Sequence, residues 1–365
     1  MPKPQKDEKQ KEVRLNITKL LKVDPENPDR KVIRFAANKI LEGGLVAFPT
    51  ETVYGLGANA FNAEAVDRIF KAKKRPFSDP IIVHIASIGQ LETVAENVPE
   101  LALKLAERFW PGPLTLILMR SRRVPPNVSS GLPTVAVRMP NHRVPLSLIE
   151  ESGVPIAAPS ANLFSRPSAT LAQHVIDDFQ EEVDVILDGG PALIGLESTV
   201  LDLTQSPARI LRPGGTPVEA LREVLPDVSY TPKYLFPETT EAASPGMLMK
   251  HYSPKARLLL FKGSSDRVLT SMRGTVEELL REGKLVGLLV PSEDYAAFRE
   301  LRVEFSLLGP ESDLKQVSFN LFSGMRDLDS RGVDVILVRG VGLDGLGLAI
   351  WDRLVRAAEG KIIHV

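Results

Sequence analysis

The chain has no cysteine among its 365 residues, which excludes disulfide bonds, thiol nucleophiles and thiolate zinc sites. It has only five histidines, and their separation along the sequence shows no metal-ligand spacing. The apolar runs have the length of a strand, so none is expected to span a membrane. The charged N-terminus lacks the apolar core of a signal peptide. These absences predict a cytoplasmic protein.

Familiar catalytic patterns are missing as well. The sequence contains no P-loop, no G-x-S-x-G elbow and no H-E-x-x-H helix. Catalysis would therefore have to proceed without a nucleophile triad or a protein-bound zinc ion.

The numbers of positively and negatively charged residues are nearly equal. Lysine and arginine number 45 and aspartate and glutamate 46, which gives a net charge of -1. This balance excludes nucleic-acid binding by bulk positive charge, although a local basic site stays possible. Hydrophobic residues make up 43% of the chain, which is enough for real cores.

The order of predicted elements divides the chain into four parts. Residues 1–14 are charged and aperiodic, and we expect a disordered arm there. Residues 15–227 alternate strands with helices over some connections too short for a helix, which predicts an α/β domain with a mixed sheet. The proline-rich interval 228–256 is typical of an interdomain linker. Residues 257–365 alternate again, which predicts a smaller Rossmann-like α/β domain.

A glycine-rich segment, Gly340-Val-Gly-Leu-Asp-Gly345, matches the dinucleotide pattern G-x-G-x-x-G. However, the sequence ends 20 residues later, which leaves no place for the acidic residue that binds a ribose. We interpret the segment as an ordinary turn between a strand and a helix.

Polar and basic side chains gather at predicted strand ends. They lie in the segments Phe48–Gly57, Thr134–Pro140, Pro159–Asn162, Gly195–Thr199 and Ile210–Gly215. A further segment, Lys71–Pro80, has four cations within five residues. Each segment alone also fits a capped turn, a solvated helix end or, for His84, a buried core histidine.

Taken together, the segments favour a binding site, because α/β sheets bind ligands in the crevice outside their strand ends. Four cations, namely Lys73, Arg75, Arg138 and Arg212, suit a ligand with several negative groups. A nucleoside triphosphate together with a carboxylate meets that description.

The same motifs carry a family resemblance. In this order, P-T-E-T-V-Y-G-L-G, K-x-R-P, F-W-P-G-P-L-T, V-A-V-R-M-P, A-A-P-S-A-N, E-S-T-V and I-L-R-P-G resemble the YrdC domain of the threonylcarbamoyl-AMP synthase family. S-P-G-M, H-Y-S-P and G-L-G-x-A-I-W-D-R-L resemble the C-terminal part of its long, two-domain form. The resemblance implies a YrdC-like twisted mixed sheet with helices, followed by the smaller Rossmann-like domain.

The implied reaction joins L-threonine, bicarbonate or CO2 and ATP into L-threonylcarbamoyl-adenylate and pyrophosphate. A separate transferase complex then modifies an adenosine of tRNA, and a weak contact of this chain with tRNA is possible. Neither step needs a covalent protein nucleophile, which agrees with the missing cysteine and triads. Mg²⁺ is expected to arrive with ATP, on phosphate oxygens and water, and the resemblance assigns no metal ligands.

The resemblance also implies site residues. Lys73 and Arg75 are the catalytic cations. L-threonine is assigned to Thr52, His84, Arg138, the Ala158 backbone and Ser198. ATP is assigned to Lys73, Arg75, Asp79, Thr134, Ser160, Asn162, Ser168, Arg212 and Tyr252. The linker that carries Tyr252 is a possible lid over the site.

Two positions depart from the family pattern. Asp79 stands where the family often has asparagine, and a carboxylate near phosphates is unfavourable unless it meets a metal or a cation. Asp352 stands where the C-terminal motif usually has asparagine, and we expect that position to lie far from the chemistry.

Two other functions stay open at this point. The chain could be an RNA-binding module that uses Lys71–Arg75 with Arg120, Arg122 and Arg123, in which case binding would weaken steeply with salt. It could also be a regulatory ATP sensor whose output is the C-terminal domain. A sensor would bind ATP without threonine-dependent turnover.

Overall fold

The computed structural model describes residues 18–232 and 251–365. The predicted arm over residues 1–14 lies outside the described residues, as does most of the predicted linker, residues 233–250. No helix within the described ranges is long and apolar enough to cross a membrane.

The N-terminal part is built on one large mixed sheet. Its strands are β1 (Lys19–Lys22), β2 (Val46–Phe48), β3 (Gly55–Asn59), β4 (Ile82–His84), β5 (Ala95–Glu96), β6 (Leu114–Arg120), β7 (Thr134–Arg138), β8 (Ile156–Ala157), β9 (Val185–Asp188), β10 (Thr199–Asp202), β11 (Arg209–Arg212) and β12 (Ser229–Tyr230). They are ordered β1-β9-β2-β3-β8-β4-β7-β6-β10-β11-β12, and β5 pairs with β6. The sheet contains both parallel pairs such as β4–β7 and antiparallel pairs such as β2–β3, which confirms the predicted mixed sheet.

Seven helices cover this sheet in the described part of the chain. They are α1 (Arg30–Leu41), α2 (Ala63–Lys73), α3 (Leu91–Val94), α4 (Glu100–Phe109), α5 (Arg143–Ser152), α6 (Ala172–Phe179) and α7 (Val218–Arg222). Helix α2 begins where Asn62 accepts a hydrogen bond from the Ala65 amide, and it ends where Lys74 adopts a left-handed conformation with φ of 53°. Of the four neighbouring cations, Lys73 and Arg75 are buried there, while Lys71 and Lys74 are exposed.

The C-terminal part is a parallel sheet with helices on both faces. Its elements are β13 (Arg257–Lys262), α8 (Ser265–Arg281), β14 (Val286–Val290), α9 (Tyr295–Phe298), β15 (Glu304–Leu307), α10 (Leu314–Ser330), β16 (Val335–Arg339), α11 (Gly347–Ala357) and β17 (Ile362–His364). The strand order is β15-β14-β16-β13-β17, and every pair is parallel. This is the predicted Rossmann-like arrangement, with Gly340–Gly345 in the connection between β16 and α11.

Helices α10 and α11 bind the C-terminal part to the large sheet. Their buried residues share one apolar core with Val53, Leu196 and Tyr252. Polar contacts add to it, since the Ser318 hydroxyl donates to the Ile194 carbonyl at 2.8 Å. The strand ends of the first domain and one face of the second therefore meet at a common, buried surface.

Candidate active site

A pocket lies at the carboxyl ends of β4 and β7. These strands are parallel neighbours, and His84 at the end of one stands opposite Arg138 at the end of the other. The register of the sheet thus brings together two polar residues that lie 54 positions apart. The pocket is lined by Thr50, Thr52, Val53, Tyr54, Gly55, Arg75, Ile82, His84, Arg138, Ala158, Pro159, Ser160, Glu197, Ser198, Arg212, His251 and Tyr252.

Arg138 is fixed in one orientation. Its Nη2 forms an ion pair with Glu51 Oε1 at 2.6 Å, and its Nη1 donates to Thr52 Oγ1 at 2.8 Å. Its Nε donates to the Gly112 carbonyl at 3.1 Å, and the residue is only 3% exposed. A guanidinium held in this way is preorganised for a carboxylate ligand.

Arg212 and Ser198 form the opposite wall. Arg212 Nη2 donates to the Ser198 carbonyl at 2.8 Å and to its hydroxyl at 3.2 Å. The Ser198 hydroxyl also pairs with Thr115 Oγ1 at 2.7 Å. Strand β11 therefore contributes a second fixed cation to the pocket.

Arg75 supplies the third cation. It forms an ion pair with Asp79 at 2.9 Å and donates to the Asp79 and Pro80 carbonyls at 3.0 and 2.7 Å. The carboxylate of Asp79 thus meets a cation, which is the condition expected from the sequence for a carboxylate near phosphates.

Lys73 has a different place from the one its motif suggested. It is buried, and its ammonium donates to the Ser160 carbonyl at 2.7 Å and to the Asn162 carbonyl. Lys73 therefore holds a loop of the pocket wall from behind and does not itself line the pocket.

Nine of the fourteen predicted site residues line the pocket, and the other five do not. Lys73, Asp79, Asn162 and Ser168 each contact a lining residue from behind. Thr134 lies at the other end of β7, about 13 Å along the strand from Arg138. The structure does not bring Thr134 to the pocket lining.

Sequence reasoning assigned no role to four residues that shape the pocket, namely Glu51, Glu197, His251 and Arg353. The first three lie inside the motifs P-T-E-T, E-S-T-V and H-Y-S-P, so the motifs already contained their signal. The Arg353 Nε donates to Glu197 Oε2 at 2.8 Å, from a helix of the other domain. No local pattern in the sequence indicates that contact.

The expectation that Asp352 lies far from the chemistry is wrong. Asp352 is 1% exposed and accepts from Arg353 Nη1 at 2.9 Å, and Arg353 in turn holds Glu197 of the pocket lining. The position is therefore two contacts from the pocket, because α11 packs onto the strand ends of the first domain.

Burial and neighbouring cations together set the charge of the titratable groups around the pocket. Burial and the Arg138 cation lower the pKa of His84 to about 3, so its imidazole is neutral at physiological pH. Burial opposes ionisation of Glu197, but the guanidinium groups of Arg353 and Arg212 outweigh it and lower the pKa of that carboxyl. Burial raises the pKa of Tyr252 to about 12, so the phenol stays protonated.

Buried histidines predict a loss of stability in mild acid. Burial lowers the pKa of His174 to about 4, with Arg326 contributing, while an unfolded histidine titrates near 6.5. Between these values the unfolded chain binds more protons, so the free energy of unfolding decreases as the pH falls from about 6.5 to about 4. His174 alone contributes up to about 2 kcal/mol of that loss at pH 5.

Urea unfolding at pH 7.5 and pH 5 measures the effect. The midpoint is expected to be lower at pH 5, and His174→Gln should reduce the difference between the two pH values. His364, which is exposed, gives the matched control, since His364→Gln should leave the difference unchanged. Equal midpoints at both pH values in the unchanged protein would contradict the prediction.

The structure removes part of the proposed basic surface. Lys73 and Arg75 are buried, and Arg120 donates to the Leu132 carbonyl at 3.3 Å and to the Val124 carbonyl. The other four cations of the proposed set are exposed, namely Lys71, Lys74, Arg122 and Arg123. Of the seven cations that the RNA-binding hypothesis invoked, three are thus engaged within the protein and four are exposed.

Fold and site together define a class. An α/β protein with fixed guanidinium groups and hydroxyls at its strand ends, and with no cysteine, is suited to bind and orient an anionic small molecule. Such a pocket accelerates a reaction by positioning and by neutralising charge.

Comparisons with known proteins identify the family. A family model described as "Telomere recombination" matches residues 38–214, and one described as "Threonylcarbamoyl-AMP synthase, C-terminal domain" matches residues 216–359. The chain is 48% identical to the threonylcarbamoyl-AMP synthase of Pyrococcus abyssi, over 91% of this chain and 96% of that one. It is 44% identical to that of Bacillus subtilis, over 90% and 93% respectively.

A solved structure agrees with these sequence matches. The crystal structure of Pyrococcus abyssi Sua5 complexed with L-threonine superposes with a TM-score of 0.90 at 46% identity, covering 95% of this chain and 100% of that one. The chain belongs to the threonylcarbamoyl-AMP synthase family and is an enzyme of the nucleotidyltransferase type.

Proposed function

We propose that the protein makes L-threonylcarbamoyl-adenylate and pyrophosphate from L-threonine, bicarbonate or CO2 and ATP. The observation that carries the proposal is Arg138, a buried guanidinium that Glu51 and Thr52 fix at the pocket wall. A relative 46% identical to this chain has been crystallised with L-threonine, whose carboxylate is the partner that such a guanidinium suits.

The chemistry has two steps. The unprotonated amine of threonine attacks CO2, a C–N bond forms, and a proton is lost to give a carbamate. A carbamate oxygen then attacks the α-phosphorus of ATP, and pyrophosphate leaves with the electron pair of the broken P–O bond. Both steps depend on orientation and on charge neutralisation rather than on a covalent protein nucleophile.

Different cations of the pocket bind different negative groups of the substrates. Arg138 holds the threonine carboxylate, and Thr52, His84, the Ala158 backbone and Ser198 complete that subsite as a proposal. Arg75 and Arg212, which line the same pocket, neutralise the phosphates. Lys73 supports the Ser160 wall from behind. Mg²⁺ enters as part of the substrate, bound to ATP.

The product is a mixed anhydride that water hydrolyses, so a shielded pocket favours its survival. The His251 and Tyr252 side chains line the pocket and are buried. We propose that the adenylate passes to a threonylcarbamoyl transferase complex that modifies tRNA, with no more than a weak contact of this chain with tRNA. The cytoplasmic location inferred from the sequence stays a prediction.

Pyrophosphate release from MgATP tests the proposal. Release is expected to require both L-threonine and bicarbonate, and L-serine should be a poor substitute. ATP binding without threonine-dependent release would overturn the proposal in favour of the sensor. ATP-independent RNA binding that falls steeply with salt would favour the RNA-binding hypothesis.

A further inference from the structure

One side chain of the C-terminal domain, Arg353 of α11, contacts two residues that line the pocket. Its guanidinium is fully buried, with 0% of the side chain exposed. Its Nε donates to Glu197 Oε2 at 2.8 Å, and its centre lies 5.1 Å from the ring centroid of Tyr252. Glu197 and Tyr252 both line the pocket, so Arg353 contacts the pocket wall at two points.

Arg353 is itself held from its own domain and from the other. Asp352 accepts from its Nη1 at 2.9 Å, and the Pro213 carbonyl accepts from the same atom at 3.0 Å. Asp352 is in turn bound by Arg356 Nε at 3.0 Å. These contacts leave the guanidinium little freedom.

Glu197 depends on this arrangement. Its other carboxylate oxygen accepts from the Ser168 hydroxyl, and the next residue, Ser198, contacts the Arg212 guanidinium through its carbonyl. A displacement of Glu197 would therefore move the Ser198–Arg212 wall as well. Tyr252 lies between Arg353 and Phe322, whose ring centroid is 5.2 Å from its own.

We propose that Arg353 is a positioning residue for the adenylate-forming reaction, which fixes Glu197 and Tyr252 so that the C-terminal domain completes the active site. The inference rests on the proposed function. It assigns to the C-terminal domain a part in the chemistry of the first domain, because without α11 two segments of the pocket wall lose a guanidinium that contacts them.

A second buried arginine on the same interface provides a matched control. Arg326 of α10 is 8% exposed, forms an ion pair with Asp178 at 2.6 Å and donates to the Pro167 carbonyl at 2.6 Å. Neither Asp178 nor Pro167 lines the pocket. Arg326 thus resembles Arg353 in burial and in joining the two domains, but not in what it positions.

Two measurements separate a positioning role from a purely structural one. They are the kinetics of threonine-dependent pyrophosphate release and thermal unfolding. Arg353→Met is expected to lower kcat by roughly a hundredfold, because misplacement of a pocket wall by about 1 Å has an effect of that order. Arg353→Lys, which keeps the cation, should recover part of the loss. Arg326→Met should lower Tm as Arg353→Met does, with kcat and KM staying within about twofold of the unchanged enzyme.

The outcomes distinguish failure of the positioning role of Arg353 from failure of the proposed function. If the unchanged enzyme shows no threonine-dependent release, the proposed function fails. If it is active and Arg353→Met retains its kcat, the positioning role is overturned. If Arg353→Met does not fold, Arg353→Lys and Glu197→Gln decide, and kcat unchanged in both would also overturn it.

Discussion

Replacing Arg138 by methionine and Glu51 by glutamine in one chain is expected to decrease threonine-dependent pyrophosphate release severely while the protein still folds. The double change removes a buried ion pair whose side chains are 4% and 5% exposed. Changing Arg138 alone would leave the Glu51 carboxylate buried without its partner, which destabilises a fold strongly. Removing both charges keeps the interior neutral and isolates the loss of the ligand contact.

The expected magnitude follows from the loss of a buried, charge-assisted contact with the threonine carboxylate. Losing one partner of such a pair costs about 2–5 kcal/mol. We therefore expect kcat/KM for threonine to fall by about a thousandfold, which is roughly 4 kcal/mol. Steady-state pyrophosphate release over a range of threonine concentrations measures it, with circular dichroism to check the fold.

A buried ion pair far from the pocket supplies the control. Arg339 and Asp294 of the C-terminal domain are 6% and 5% exposed and pair at 2.5 Å, and neither lines the pocket. Arg339→Met with Asp294→Asn should lower Tm and leave kcat/KM near that of the unchanged enzyme. A folded Arg138→Met, Glu51→Gln protein with undiminished threonine-dependent release would refute the assignment of Arg138.

The sequence could predict that polar strand ends would meet, because sheet topology brings them together whatever their separation in the chain. His84 and Arg138 are opposite one another in β4 and β7, as parallel pairing requires. The motifs that carried the family resemblance fall on these ends. That is why most of the predicted site residues line one pocket.

The basic segment shows where a local pattern misleads. Four cations within five residues suggested a clamp that faces its ligand. In the structure Lys71 and Lys73 lie on different faces of α2, which ends at Lys73, and Lys74 adopts a left-handed conformation. Lys71 and Lys74 are exposed, while Lys73 and Arg75 are buried. Composition could not reveal this division, since it depends on which face of α2 is buried and on the turn that follows the helix.

Contacts between the domains could not be predicted from the sequence, for a different reason. Arg353 and Glu197 are separated by 156 positions, and nothing in W-D-R-L or E-S-T-V indicates that one binds the other. An isolated arginine in an amphipathic helix is usually interpreted as solvent-facing. Only the packing of α11 against the strand ends buries it. The wrong prediction for Asp352 has the same cause.

Gly214→Ala is expected to inactivate the enzyme through the backbone alone. A Cβ at Gly214 would lie 2.3 Å from the Ser198 carbonyl carbon and 2.4 Å from the Glu197 carbonyl oxygen. These are backbone atoms of a packed segment, which cannot swing aside as a flexible side chain would. The clash must displace Glu197 and Ser198, both of which line the pocket.

The displacement should reduce kcat/KM by roughly a hundredfold, the effect of about 1 Å of misplacement. Overpacking should also lower the free energy of unfolding by about 1–3 kcal/mol. Gly274→Ala is the matched control, because a Cβ in that position of α8 meets nothing within 4 Å and alanine favours a helix by about 1 kcal/mol. It should keep its activity and gain stability. Since Gly214→Ala adds one methyl group and removes no contact, normal kinetics in that variant would mean that the Glu197–Ser198 segment need not be held where the structure places it.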